Sequence, residues 1–539
     1  MPAALAAVSR GETVGAHRQG RLAGLGVVAS WPLFVVLVVQ VVLSLRLVRS
    51  DTAFQDEAAY LWAGHLQWAH WLHGTPLPPF SAYFSGAPVI YPPLAALADS
   101  LGGLAAARIL SLAFMLGATV LLWGAAGRLF GRRAAFFAAA LFAVLGPTLH
   151  LGTFATYDAM AVFLVAVAAW CVVRAGERQD VTGWMVAAGA ALALANAVAY
   201  SSALFDPVVI VLAWITAIPK PGGKAAAARS ALLVVVVAVL LLVGGLIGGS
   251  SYLHGIWQTT LARAAGPDSA LAVLADAWSW FGVIAVLAVC GIIASWARGD
   301  GRAGRTRTWL LAMLAAAVLL GPLEQARLHT IASLNKHVGL GAWFAAIAAG
   351  YAADRLIAAA PAGRRMQAYT CGACVVALVF PIFLGASQSR VFATNWPSSA
   401  SFVAIFRPLA DHGGGHLLVE DPSIAEYYLP AGSHWKRWSS TRNITLQSGA
   451  STAGPASTAG VTGAGNLGVF AEFITASYFS YVALNFADTT ALDHRIADDL
   501  RASHHYRIIQ VVPYGPKGTY VIWRYQSHRV SPQGYEPHR

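Results

Sequence analysis

Apolar stretches of roughly 20 residues recur from Trp31 to about Ser387, and each is long enough to cross a hydrocarbon core of about 30 Å as a helix. With 57% hydrophobic and only 11% charged residues over 539 positions, the chain lacks the polar surface of a soluble globular protein. The pattern therefore predicts a polytopic α-helical membrane protein of about eleven crossings, with spans near 27–48, 103–126, 134–150, 158–174, 182–199, 202–218, 230–249, 278–297, 308–323, 338–358 and 368–386. Residues 1–26 form an N-terminal tail whose Arg10, Arg18 and Arg21 precede a run long enough to span, so the first run reads as a retained helix and not a cleaved signal.

The net charge of +12 follows topology and does not mark a nucleic-acid surface. The clusters Arg128/Arg132/Arg133, Arg174/Arg178, Lys220/Lys224/Arg229, Arg298/Arg302/Arg305/Arg307 and Arg355/Arg364/Arg365 fall on one side when each run crosses once. By the positive-inside rule that side is the cytoplasm, which places the first loop (about 49–102) and the tail (388–539) outside. Cys171, Cys290, Cys371 and Cys374 all sit in predicted membrane helices, so no disulfide framework is expected, and Cys371-Gly-Ala-Cys374 lacks the further His or Cys that a metal site needs.

The long first loop carries its own structure. Glu57 to His73 reads as a helix with Tyr60, Trp62, Trp68 and Trp71, suited to the membrane interface, and Gly74 ends it. Pro76, Pro78 and Pro79 forbid its continuation, and Tyr91-Pro92-Pro93-Leu94 starts another short helix before the second crossing. From Gln388 the composition becomes that of a soluble α/β domain, with strands at 416–420, 478–486, 506–512 and 519–524, helices at 424–429 and 490–503, and a flexible Gly/Ser/Thr-rich loop at 449–468.

Three polar features share the outer side in this topology: the adjacent carboxylates Asp56 and Glu57, the Tyr157-Asp158 pair, and the basic stretch holding Arg327, His329, Lys336 and His337. A carboxylate can take the proton of an attacking sugar hydroxyl while cations hold a phosphate leaving group, which suits glycosyl transfer from a phospholipid donor. Each residue also has a plain structural reading. Adjacent carboxylates can start a solvated helix, Asp158 can cap one after Thr156, and Arg327 or Lys336 can mark helix ends near lipid headgroups.

The many spans, the Asp56-Glu57 pair after the first helix, the Tyr91-Pro92-Pro93-Leu94 motif before the second and the soluble tail together resemble the GT-C class of polyprenyl-phosphate-sugar-dependent glycosyltransferases, in particular the protein O-mannosyltransferase and lipid A aminoarabinose transferase branch. The resemblance covers residues 27–387 in architecture. It implies that Asp56 is the catalytic base of an inverting displacement, supported by Glu57, and that the donor phosphate is bound by Arg327 and Lys336 with His329 and His337. It further implies a substrate cavity at Tyr91, Tyr157 and Asp158. In relatives the position of Tyr91 commonly holds a basic residue or His, so a direct phosphate role there is not carried over. The implied partners are a polyprenyl-phosphate sugar, an acceptor glycan, lipid or protein, and membrane lipids, but no nucleic acid. A divalent cation held by Asp56 and Asp158 stays open as a cofactor. High Ala, Gly and Arg usage points to a bacterial plasma membrane. The alternative readings are a transporter or flippase of lipid-linked glycans, and a membrane anchor whose tail binds glycan. Transport coupled to ions calls for ionisable groups near the bilayer midplane, which the predicted helix centres almost lack.

Overall fold

A computed structural model describes residues 31–176, 181–218, 222–361, 363–412, 415–429, 435–441, 467–487 and 489–526. The tail 1–26, the basic residues Arg178 and Lys220, His434, and the Gly/Ser/Thr-rich stretch up to residue 466 lie outside these segments. In chain order the helices are α1 (Trp31–Val48), α2 (Gln55–His73), α3 (Tyr91–Phe130), α4 (Arg132–Ala143), α5 (Gly146–Leu151), α6 (Tyr157–Ala175), α7 (Val181–Val198), α8 (Asp206–Ala217), α9 (Gly223–Thr259), α10 (Ala270–Trp296) and α11 (Gly301–Ala316). They continue with α12 (Leu320–Arg327), α13 (Leu334–Ala358), α14 (Arg364–Ala377), α15 (Val379–Thr394) and α16 (Ala400–His412). The remaining elements are β1 (His416–Val419), α17 (Ser423–Tyr428), β2 (Trp438–Ser440), α18 (Leu467–Thr475), β3 (Phe479–Leu484), α19 (Thr490–Ala502), β4 (Tyr506–Pro513) and β5 (Thr519–Tyr525).

Among the described residues, each of the eleven expected spans falls on helical segments. Among the described residues, nine helical segments are long and apolar enough to cross a membrane, and the protein is a multi-pass membrane protein. The other two spans differ for local reasons. The run 134–150 breaks into α4 and α5 where Pro147 restarts the helix, while α13 carries Lys336, Asp354 and Arg355 within an otherwise apolar sequence. The expected short helix at Tyr91 is present as the first part of α3, and it ends at the non-helical Gly102-Gly103 step (φ +67° at Gly103), after which the next crossing runs on.

The chain divides into two compact units. The first comprises 31–48, 81–87 and 108–390 of the described residues. Here α13 is the central helix, with α10 and α4 packed along it, and α6 packs on α7. Small residues allow this closeness in an apolar solvent, where helix association depends on van der Waals contact. A Cβ at Gly350 would stand 2.3 Å from the Ala134 carbonyl oxygen, and one at Gly341 would stand 2.5 Å from that of Ala317. Gly350→Leu should therefore force α13 off α4 and lower stability by about 1–3 kcal/mol or more, read as a fall in Tm in detergent; an unchanged Tm would show that the approach is not needed.

The second unit joins 49–80 and 88–107 to the segment from Val391 onward. Its mixed sheet has the order β2-β1-β3-β5-β4, with β1 parallel to β2 and β3, and β5 antiparallel to β3 and β4. The buried Glu420 side chain at the end of β1 accepts N–H bonds from Asn485 (2.8 Å), Ala487 (3.1 Å) and Thr489 (3.1 Å), tying the β3–α19 turn to the sheet. The early segments are stitched to the late ones: Ser399 N–H donates to Thr52 Oγ1 (2.9 Å), and Ala53 N–H donates to the Tyr428 hydroxyl (2.7 Å). Because residues near 52 and near 399 pack together, an even number of crossings must separate them. The expected ten satisfy that condition.

One buried acid in this unit gives a pH signature. Burial, and then the Asp421 charge, raise the Glu426 carboxyl well above the ordinary value of 4.5. A group with a raised folded-state pKa contributes stability that is complete below its unfolded value and lost as pH rises through the folded one. Stability of this unit should therefore fall as pH climbs above about 4.5, and Glu426→Gln should flatten that slope in a pH series of thermal unfolding. An unchanged slope would mean that Glu426 is not the titrating group.

Candidate active site

In the second unit, α2 begins as its polar residues require. Phe54 is the N-cap, and its N–H donates to Glu57 Oε2 at 3.2 Å, so Glu57 folds back on the helix start and is fully buried. Phenylalanine offers no side-chain acceptor in return, leaving half of a capping box. Asp56, one residue earlier, points about 100° away around the helix and is partly exposed. The two carboxylates are thus separated in environment: Glu57 is buried and serves the backbone, while Asp56 is partly exposed.

The Pro-Pro-Leu motif is seated against the same helix. Gly64 lets the backbone of Pro92 approach so closely that a Cβ would lie 2.0 Å from its carbonyl oxygen. Trp68 Nε1 donates to the Pro93 carbonyl at 2.9 Å. Tyr91 is fully buried, edge-on to Tyr60 with ring centroids 6.4 Å apart. In this position it packs the motif onto α2. Trp68 spends its polar N–H on that packing, and Trp71 stays half-exposed beside it.

In the first unit, Lys336 in the opening turn of α13 and Asp158 in the opening turn of α6 form an ion pair of 3.8 Å, at 8% and 6% side-chain exposure. His150 on α5 is buried within electrostatic reach of Lys336. Tyr157 lies near Tyr200, which meets Tyr252 edge-on at 6.5 Å. Gln325 Nε2 on α12 bonds the Nδ1 of His337 at 2.6 Å. Arg327 is 61% exposed and chelated by Glu324 at 2.6 and 2.8 Å. His329 sits in a left-handed turn, φ +51°, where its Nδ1 meets the Asp268 carbonyl and fastens this loop to the 266–268 segment.

Of the four basic residues expected to grip phosphate, Lys336 alone is buried in an ion pair, while Arg327 is open to solvent, His337 is bonded to Gln325 on α12 and His329 is engaged in a loop contact. The sequence reading overlooked His150 and Arg108. Arg108 is buried at 1% exposure, donates to the Val48 carbonyl at 2.8 Å and lies 5.4 Å from the Phe154 ring, closing the end of α1. An arginine inside an apolar run was the available signal. For the open question of a cation, no group of three or more His, Cys, Asp or Glu among the described residues is arranged to hold a metal, and no step below uses one.

Residues 88–247 match the dolichyl-phosphate-mannose-protein mannosyltransferase family. The fold is shared with the archaeal oligosaccharyltransferase AglB from Archaeoglobus fulgidus, solved with an inhibitory peptide and a dolichol-phosphate (TM-score 0.57, 12% identity, 94% of this chain and 75% of that one). It is equally shared with ArnT from Cupriavidus metallidurans bound to undecaprenyl phosphate (TM-score 0.57, 16% identity, 94% and 100%). The fold is the one these GT-C glycosyltransferases share. Among curated protein sequences no significant match is found. The family match takes in α3 to α8 and most of α9, so it includes Tyr91, Tyr157 and Asp158 but neither Asp56 nor the 327–337 loop.

Proposed function

We propose that this protein is a glycosyltransferase that moves a sugar from a polyprenyl-phosphate donor to an acceptor hydroxyl at the outer face of a bacterial plasma membrane, with inversion at the anomeric carbon. The observation that carries the reading is the match of residues 88–247 to enzymes that draw on a dolichyl-phosphate sugar, in a fold whose solved relatives hold dolichol-phosphate or undecaprenyl phosphate. In this reaction Asp56 takes the acceptor O–H proton, the acceptor oxygen bonds to the anomeric carbon, and the bond from that carbon to the phosphate oxygen breaks to release the polyprenyl phosphate. Glu57 supports Asp56 by fixing the start of α2, as its bond to Phe54 indicates.

Lys336 is the leading candidate to hold the donor phosphate, because its charge persists at neutral pH and it is buried. Asp158 keeps the ammonium in place, and Tyr157 and His150 complete the polar surroundings. Arg327, His329 and His337 are assigned to donor approach. Membranes supplied with a polyprenyl-phosphate sugar should form a new glycosidic bond, with mass spectrometry of the co-purifying lipid naming the donor. Counterflow of the lipid-linked sugar in proteoliposomes without any such bond would replace this reading with transport. Arg327→Gln should raise the donor KM with little change in kcat, as expected for a contact made equally in ground and transition states. Unchanged donor kinetics would remove Arg327 from donor approach.

A further inference from the structure

A second feature of the membrane unit is lined by none of the residues assigned to glycosyl transfer. A cavity of about 970 Å³ runs between α10, α13 and the α14–α15 pair, lined almost wholly by apolar side chains such as Trp278, Ala294 and Phe380, with Cys290 and Cys374 in its wall. It lies at the upper end of the range of about 300–1,000 Å³ usual for small-molecule sites. Its charged lining residue is Arg355.

Arg355 belongs to a compact charged group. The buried carboxylate of Asp354 takes Arg133 Nε at 2.8 Å on one oxygen and Arg355 Nε at 3.0 Å on the other. Two guanidiniums on one carboxylate leave a net charge of +1. Asp354 occupies two of the five N–H donors of Arg355 through its Nε and one Nη, so three remain to meet an anion. Guanidinium is the side chain best shaped for phosphate.

The position on α13 decides what kind of anion this is. Lys336 and Arg355 stand near opposite ends of α13, about 28 Å apart along its axis at a rise of about 1.5 Å per residue. That is nearly the thickness of the hydrocarbon core, about 30 Å. A lipid whose phosphate is held at the Lys336 end cannot offer the same phosphate to Arg355. The apolar cavity and the cationic end thus match a lipid of the opposite leaflet, at the face that carries the basic loops.

We propose that this groove holds the acyl chains of an anionic glycerophospholipid from that leaflet, with its phosphate set against Arg355. The site is independent of glycosyl transfer and stands whatever the donor is. The wall cysteines provide the test. In purified full-length protein in neutral detergent, added phosphatidylglycerol should slow maleimide alkylation of Cys290 and Cys374 several-fold, and phosphatidylcholine with the same chains should do so far less. Cys371, which is outside the lining, should react at an unchanged rate in both and serves as the internal reference. Arg355→Gln should abolish the difference between the two lipids. Ala294→Trp fills the groove without touching the charges, and should remove the effect of either lipid; it keeps the proposal testable if the arginine variant does not fold. Equal protection by both lipids in the unaltered protein, equal slowing at Cys371, or protection by an isoprenyl phosphate in preference to phosphatidylglycerol would each overturn it.

Discussion

Asp56→Asn should abolish sugar transfer, with kcat falling by about 10²–10⁴ while the folded protein and its Tm are preserved. The expectation follows from the division of labour at the start of α2. Asparagine matches aspartate in shape, Asp56 is partly exposed, and the bond that caps the helix comes from Glu57, so the change removes a proton acceptor and leaves that capping bond in place. A base that acts only as the hydroxyl attacks contributes to kcat more than to KM. Glu57→Ala should behave in the opposite way, costing about 1 kcal/mol of stability through the lost cap and affecting turnover only as far as Asp56 loses its placement. The measurements are initial rates of transfer from a labelled polyprenyl-phosphate sugar and a thermal melt of each variant. Full activity in Asp56→Asn would end the assignment of this residue as the base.

Lys336→Met should destabilise the membrane unit by about 3–5 kcal/mol, because it leaves Asp158 buried without its ammonium partner. The double variant Lys336→Met/Asp158→Asn should recover most of that loss, since replacing both members of a buried pair removes the uncompensated charge. Thermal unfolding of the two single variants and the double one forms a cycle whose coupling term isolates the pair. A double variant no more stable than Lys336→Met would show that the pair does not act as a unit. The same double variant bears on the proposed function. If it folds normally yet has a strongly raised donor KM, Lys336 works on the phosphate in addition to its structural role. If donor kinetics survive, its role is structural alone.

Much of the architecture was legible because it depends on short-range signals. Helix α2 is bounded by its acidic start and by Gly74, which takes the left-handed conformation that stops it. The crossings were read from run length, and the strands β3, β4 and β5 from apolar runs between turns. What escaped the reading has equally physical causes. The division of one run into α4 and α5 depends on Pro147, which was passed over inside an apolar window. β2 has three residues, too few for a period to register, and α16 carries Pro408 within it. At the site, the nature of the groups was legible but their partners were not. Nothing local says that Lys336 meets Asp158 while His337 turns to Gln325, since helix phase and tertiary packing decide which of two neighbours faces inward. Nor did the Pro-Pro-Leu motif announce its role in packing, which became visible only with Gly64 and Trp68 beneath it.

The bonds from Thr52 to Ser399 and from Ala53 to Tyr428 also impose a timetable on synthesis. Their partners are separated by 347 and 375 positions, so at about 5–20 residues per second the early segment waits on the order of tens of seconds for its other half to leave the ribosome. During that interval the α2 helix, with the residue proposed as catalytic base, has no C-terminal strand or helix to pack on, while the crossings between are threaded into the bilayer. A chain that stops before Val391 would carry every polar residue proposed for the reaction and keep the Pro-Pro-Leu packing on α2, yet lack the bonds from Ser399 and Tyr428 that hold the segment leading into it. The segment leading into α2 is therefore fully packed only after Ser399 and Tyr428 have emerged.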